Sequence, residues 1–193
     1  KYGRVDVLIN NAGITLTPRS FNEISEEQFR KVVDVNMWGT YNCTRAFLPL
    51  LENQDEASLV NVSSLAGLIG LYGYSPYAMS KFAVRALGES LQSEYAGTGL
   101  HIMNVHPGGV KTNLIKHAPD LTEDERENAH NTFQQVSFLT PEKAASLIIR
   151  GIQRKKRRLV IGLDAKMVLL VKTLLPGLYP RILKFMFSNM SFR

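Results

Sequence analysis

A chain of 193 residues, 45% hydrophobic and 21% charged, is long and apolar enough to bury one sizeable core, which excludes a disordered polymer. Cys43 is the only cysteine, which rules out an internal disulfide, and the four histidines show no metal-ligand spacing, so no metal is expected. The net charge of +6 is unevenly placed: residues 154–158 read Arg-Lys-Lys-Arg-Arg, while residues 120–127 are acidic. No nucleic-acid module surrounds the basic run, so nucleic acid is not an expected partner. The run reads as cations complementing a helix C-terminus, with contact to a membrane surface as the rival.

In chain order, residues 1–4 read as the end of a helix, with no initiator Met or signal peptide. Residues 5–9 (Val-Asp-Val-Leu-Ile) read as a buried strand running into Asn10, Asn11, Ala12 and Gly13. Ser25 and Gln28 form a capping box that opens a helical region to about Leu51, with Pro49 expected to terminate it. Within it, Cys43 is expected to be a small buried residue and Trp38 to pack in the core. Residues 58–63 are a second strand. Ser75 as N-cap and Pro76 as first helical residue open a long helix to about Ala96, closed by Gly97. Residues 100–105 make a third strand, stopped by Pro107. Residues 113–139 are expected to be irregular or weakly helical. Thr140 and Pro141 begin a helix through about Gln153, and residues 158–161 make a fourth strand. Strands alternating with helices imply parallel pairing. The first three strands end in polar or glycine-rich residues, and open parallel sheets bind ligands at that edge.

Tyr77 and Lys81 are four residues apart on the long helix, an advance of about 400°, so they share a face. An ammonium near a phenol favours the phenolate, and the helix N-terminus adds positive potential on the same side. Lowering a phenol's pKa by about three units from its ordinary value near 10 needs roughly 4 kcal/mol, more than either effect normally supplies alone.

Tyr77-x-x-x-Lys81, with Ser64 thirteen residues upstream, resembles the active site of the short-chain dehydrogenase/reductase family. Four further segments agree in order and separation: residues 10–13 (Asn-Asn-Ala-Gly), 36–39 (Asn-Met-Trp-Gly), 61–64 (Asn-Val-Ser-Ser) and 107–112 (Pro-Gly-Gly-Val-Lys-Thr). The resemblance covers residues 1 to about 162. It implies an α/β fold: the C-terminal part of a doubly wound parallel-sheet Rossmann-like domain with its first βαβαβ portion absent. It further implies an oxidoreductase that moves hydride between NAD or NADP and an alcohol or ketone. By the same resemblance Tyr77 is the general acid/base, Lys81 lowers its pKa and holds the nicotinamide ribose, and Ser64 orients the substrate oxygen. Asn36 completes the set by helping hold a proton-relaying water. Asn11, Ala12 and Gly13 would lie under the adenosine half, and Pro107, Gly108, Val110 and Thr112 would form the nicotinamide-side loop.

A glycine-rich turn feeding a helix, needed to seat a pyrophosphate, is missing from the sequence. In the family it belongs upstream, so roughly 70–90 residues are expected before Lys1 at ~30 or more per crossover unit. On that reading the isolated chain is expected neither to fold well nor to bind cofactor tightly. The residues that separate NAD from NADP would lie upstream as well. Leu68, Ile69, Leu71 and Tyr72 are expected to contact substrate, and residues 113–139 to form a mobile lid. An apolar pocket would suit a lipophilic alcohol or ketone. Residues 1–164 are taken as the catalytic part and residues 165–193 as an apolar and basic tail: a lid, a subunit contact or a membrane-surface helix. Lys172, Pro176, Pro180, Arg181 and Lys184 interrupt that tail well before the ~20 apolar residues of a span. The remaining Arg181 and Lys184 could share a face with Phe185 and Met186 opposite.

A homodimer or homotetramer is expected through the helices at residues 28–51 and 76–96, in a cytoplasmic protein with membrane association through the tail as the alternative. Two rival functions are a sugar-nucleotide epimerase or dehydratase and a catalytically silent cofactor-sensing or scaffold protein. Asn-Asn-Ala-Gly and the short chain after Lys81 argue against the first. The intact Asn36, Ser64, Tyr77 and Lys81 argue against the second.

Overall fold

The computed structural model describes residues 3–137 and 139–188. Four strands, β1 (Val7–Asn10), β2 (Ala57–Val62), β3 (Leu100–Pro107) and β4 (Arg158–Ile161), pair in parallel in that order. Each is short and rich in β-branched or aliphatic residues, as strands covered on both faces require. Alternation along them builds two cores. Leu59 and Ile102 face α2 (Gly39–Glu52) and α3 (Ser75–Glu94), joining Leu51, Leu91 and Leu48. Val60, Met103, Val105 and Ile161 face the other way, onto Leu147, Ile148 and Ile152 of α5 (Pro141–Gln153). The sheet is therefore doubly wound, as expected.

On the α2/α3 face the residues change character toward the carboxyl ends. Leu59 is followed on that side by Asn61 and Ser63, and Ile102 by Asn104 and His106, all of them buried. Asn10 donates to both Asn61 Oδ1 and Thr44 Oγ1 at 2.9 Å. Apolar packing thus gives way to a buried polar end, which is where ligands of parallel sheets are met.

The first long helical region begins where Ser25 and Gln28 cap each other, Ser25 N donating to Gln28 Oε1 and Gln28 N to Ser25 Oγ. It is not one regular helix. α1 (Glu26–Val33) passes into a π-helical turn at Asp34–Trp38 before α2 resumes. Pro49 lies inside α2, which continues to Glu52, so it marks the final turn and does not stop the helix. Cys43 and Trp38 are exposed, contrary to expectation; Trp38 stacks edge-on with Tyr41 at 5.5 Å. Tyr74, not Ser75, is the N-cap of α3, and the Ser75 hydroxyl is buried without a partner.

Residues expected to be irregular contain α4 (Glu123–Val136), started by a capping box between Thr122 and Glu125. The basic run follows the end of α5, where Lys155 pairs with Glu56 at 2.7 Å. The boundary drawn between residues 164 and 165 falls inside α6 (Leu163–Leu174), whose fully buried Ala165 belongs to a third cluster with Leu65, Leu68 and Ile69. Leu68 and Ile69 are accordingly core residues and not substrate contacts. α7 (Tyr179–Ser188) follows; Arg181 and Lys184 are exposed, and the side chains of Phe185 and Met186 lie outside the described residues. β1 forms an open edge, with Val7 and Ile9 exposed.

Gly88 lets α3 approach β3: a Cβ there would come within 2.0 Å of the buried Asn104 Oδ1, while Asn104 Nδ2 donates to Arg85 O. Helix propensity alone favours alanine by about 1 kcal/mol, but overpacking costs about 1–3 kcal/mol. Gly88→Ala is expected to lower the urea midpoint; a raised midpoint would contradict this packing.

Candidate active site

Ser64 ends the segment after β2 and caps a short 3-10 turn, accepting from Ala66 N at 3.1 Å. Its carbonyl accepts from His106 Nδ1 at 3.2 Å, so the ring carries its proton on that nitrogen. Burial pushes the pKa of His106 down to about 4, and the ring is neutral at physiological pH. Nothing in the sequence marked His106 as part of the site except its position at a strand end before Pro107. It holds the main chain of the serine from the neighbouring strand.

Tyr77 and Lys81 project from the first two turns of α3, as their spacing required. The Ser64 hydroxyl lies near enough to the Tyr77 phenol to favour its ionised form. Lys81 is almost fully buried, with Nζ donating to Val62 O at 3.1 Å and lying 5.7 Å from the centre of the Tyr77 ring. Three groups from a strand end and one helix therefore converge.

The electrostatics differ from the sequence expectation. Burial pushes the Tyr77 phenol above its ordinary value, and the nearby Ser64 hydroxyl opposes this only in part. The ammonium beside it is itself disfavoured by burial, which lowers the pKa of Lys81 to about 8. Lys81 donates to a carbonyl and lies over the Tyr77 ring, and in the chain by itself the balance on the phenol is upward.

Asn36 sits in the π-helical turn, fully buried. Its amide is engaged on both sides: Oδ1 accepts from Ile14 N at 2.8 Å, and Nδ2 donates to Ile14 O at 2.9 Å and Ser80 Oγ at 3.0 Å. It braces the segment after β1 against α3. Both amide hydrogens are engaged, so a water held by Asn36, as the resemblance implies, would be held by one of its oxygens.

A cleft of about 660 Å³ opens over the carboxyl ends of the strands. Ser64, Tyr77 and Lys81 line it together with Asn11, Ala12, Gly13, Pro107, Gly108, Val110 and Thr112, so ten of the eleven residues singled out in the sequence meet in one space. A Cβ on Gly13 would stand 3.1 Å from both Asn36 Oδ1 and Lys81 Nζ, so the wall there must be backbone. Of the remaining wall, the part from residues 113–139 was expected as a lid, whereas the part from α5 was not foreseen. Leu114, His117 and Phe133 come from the segment and helix after the third strand, and Ala144, Ala145 and Ile148 come from α5. Their signal was the amphipathic face of α5 and the Thr122–Glu125 cap, both of which serve packing as readily as a site. Leu71 packs in the third cluster, and exposed Tyr72 does not line the cleft. A smaller cleft of about 170 Å³ lies at the opposite end of the sheet, near His101 and Lys155, and holds none of these residues.

Across the mouth, the buried Asp120 carboxylate accepts from Thr17 N at 3.1 Å and pairs with Arg19 Nε at 3.2 Å. This ties the start of the 113–137 segment to the polar loop after β1. Neither residue was predicted as a contact, because the pair is separated by about a hundred positions in the chain.

A family model described as short chain dehydrogenase matches residues 1–122. The chain belongs to the short-chain dehydrogenase family. It is 34% identical over 187 residues to a Mycobacterium tuberculosis protein named as an oxidoreductase, SadH, covering 94% of this chain and 66% of that protein. It is also 34% identical over 172 residues to the 3-oxoacyl-(acyl-carrier-protein) reductase FabG of Thermotoga maritima, covering 88% and 68%. Among solved structures, a short-chain dehydrogenase from Streptomyces avermitilis superposes with a TM-score of 0.76 at 31% identity, over 99% of this chain and 72% of that one. A family member from Burkholderia phymatum in complex with NAD superposes at 0.77 and, at 24% identity, supports the fold; it covers 90% and 66%. This short-chain dehydrogenase chain thus spans about two thirds of the length of several relatives it matches.

The cleft residues fit a dinucleotide: a backbone-walled strip at residues 11–13 could lie along its adenosine side, and the Lys81 donor with the loop of main-chain groups at residues 107–112 could hold its nicotinamide-ribose side. Among the described residues, no strand ends in a glycine-rich turn that starts a helix, so a pyrophosphate seat is not provided.

The desolvated Lys81 has a pH signature. Its folded pKa of about 8 lies below the ordinary 10.5, so the unfolded chain binds that proton more tightly. Stability from this group rises as pH climbs from about 8 toward 10.5, and the burial cost, roughly 3 kcal/mol, is fully present below pH 8. The stability advantage of Lys81→Met over the native protein is expected to shrink by roughly that amount across the window, measured by urea unfolding at each pH. A pH-independent difference would contradict a buried ammonium.

Proposed function

We propose that this chain is the catalytic portion of an NAD(P)-dependent dehydrogenase/reductase acting on an apolar alcohol or ketone. The observation that carries the reading is the convergence of Ser64, Tyr77 and Lys81 on the one cleft that also gathers the cofactor candidates. The proposed activity is that of the whole protein. The open edge of β1 supports a parent sheet wider than these four strands.

Bound nicotinamide supplies the hydride donor or acceptor. The Ser64 hydroxyl, fixed by its turn and by His106, donates to the substrate oxygen and limits its approach to Tyr77. Tyr77 then gives up or receives the proton on that oxygen as hydride moves. The raised pKa of the tyrosine in the chain alone keeps the phenol protonated, so its proton is present, though more tightly held, for a developing alkoxide. For the reverse direction the phenolate needs added positive potential, which a cationic nicotinamide ring would supply beside Lys81. Lys81 holds the ribose hydroxyls through the protons not used on Val62 O. Asn11, Ala12 and Gly13 pass beneath the adenosine side, and Pro107, Gly108, Val110 and Thr112 bind the carboxamide side.

Leu114, Phe133, Ala145 and Ile148 make the substrate side apolar, which favours a lipophilic substrate over small polyols. The 113–137 segment acts as a lid, latched by Asp120 to Thr17 and Arg19. Exposed Val35, Trp38, Tyr41, Phe47 and Leu50 on the first helical region support a homodimer or a homotetramer formed through it.

Tyr77→Phe removes only the proton-carrying oxygen. It is expected to lower kcat by at least about a hundred-fold while cofactor affinity stays within a few-fold, measured with NAD and NADP over a panel of alcohols and ketones. Equal rates for the native protein and the variant would instead favour a silent cofactor-sensing or scaffold protein.

A further inference from the structure

α6 is apolar on two sides. Its inner side packs Ala165, Val168 and Leu169 onto Leu65, Leu68 and Ile69. Its outer side carries Leu163, Met167, Leu170 and Leu174, which are 78%, 66%, 56% and 66% exposed. At about 100° per residue these four fall within an arc of about 60°, a single unbroken stripe. Leu175 and Leu178 continue the exposed apolar surface beyond the helix end, and exposed Lys166 flanks the stripe. This is more apolar side chain than a lone surface helix leaves in water without a partner.

The charge pattern selects the partner. From residue 165 to the end of the chain there are five basic residues, at 166, 172, 181, 184 and 193, and no acidic one. A twofold contact with a second copy would set this acid-free surface against itself. Anionic lipid headgroups complement it, and an apolar stripe flanked by an exposed cation, Lys166, is the pattern of a helix lying in a bilayer interface. No described helix is long and apolar enough to cross a membrane.

We propose that the outer face of α6, with the exposed cations at Lys166, Arg181 and Lys184, docks on an anionic lipid bilayer without spanning it. The same helix is tied at both ends to loops that adjoin the cleft residues Gly108 and Ser64. Asp164 in its first turn accepts from Gly109 N at 2.7 Å, and Lys172 near its end donates to Leu68 O. Docking therefore holds the loop after β3 and the loop after Ser64 at a fixed height over the lipid surface. The idea that docking delivers an apolar substrate rests on the function proposed above; the docking itself does not.

The test is co-sedimentation of the intact protein with vesicles of phosphatidylcholine, alone or with about 30% phosphatidylserine. Binding is expected to be about ten-fold stronger to the anionic vesicles and to weaken with salt. A Met167→Glu, Leu170→Glu double variant is expected to lose about ten-fold in binding while its cofactor affinity and lipid-free turnover stay unchanged. A Lys166→Glu, Lys184→Glu variant, which leaves the stripe intact, is expected to lose only the preference for anionic vesicles. Native protein that stays in the supernatant at low salt, or a stripe variant that binds as well as native, would overturn the proposal. Light scattering that shows the stripe variant dissociating an oligomer, with no vesicle binding by either form, would assign the stripe to a second copy. Absence of any NAD(P)-linked turnover alongside normal vesicle binding would count against the proposed function alone.

Discussion

A buried ammonium sets the terms for the rest of this site. Lys81 is held inside the protein by one main-chain carbonyl, with no carboxylate to neutralise it, and its pKa falls to about 8 as a result. Such a group is costly to bury unless something else at the site uses its charge. Its neighbours are arranged around that requirement: the phenol ring of Tyr77 to one side, the backbone-walled strip at Gly13 to the other, and the Asn36 amide beneath. The polar ends of β2 and β3 supply the means, since Asn61, Ser63, Asn104 and His106 continue the same sheet face that Leu59 and Ile102 make apolar further back.

What was legible in the sequence was whatever depends on local period. The four-residue spacing of Tyr77 and Lys81 fixes their shared face once a helix forms. Runs of aliphatic residues ending in polar ones locate both the strands and the edge where they act. The parallel pairing followed from the alternation of elements, and the doubly wound arrangement from the family resemblance.

What was not legible depends on contacts between distant segments. His106 holds Ser64 across 42 positions, and Asp120 reaches Thr17 across 103. α4 has too few apolar residues at helical spacing to announce itself, although its Thr122–Glu125 cap was readable. Trp38 and Cys43 were assigned to the interior from residue type, yet both are exposed. The tyrosine's pKa was expected to be lowered by a nearby cation. Distance along a helix does not say where the cation points, and Lys81 spends one of its protons on Val62.

The π-helical turn at Asp34–Trp38 has a consequence for how such a site could be altered. One residue more than a regular helix needs is accommodated there, and this widened turn aims the Asn36 amide at Ile14 and Ser80. Removing a single residue upstream within the turn would restore an unbroken helix from Glu26 to the end of α2. It would also swing the asparagine by about 100° around the axis, away from the strand loop it braces. Regularity of the helix and the brace beneath Lys81 are mutually exclusive in this chain, so the irregular turn marks where local helical geometry yields to the geometry of the cleft.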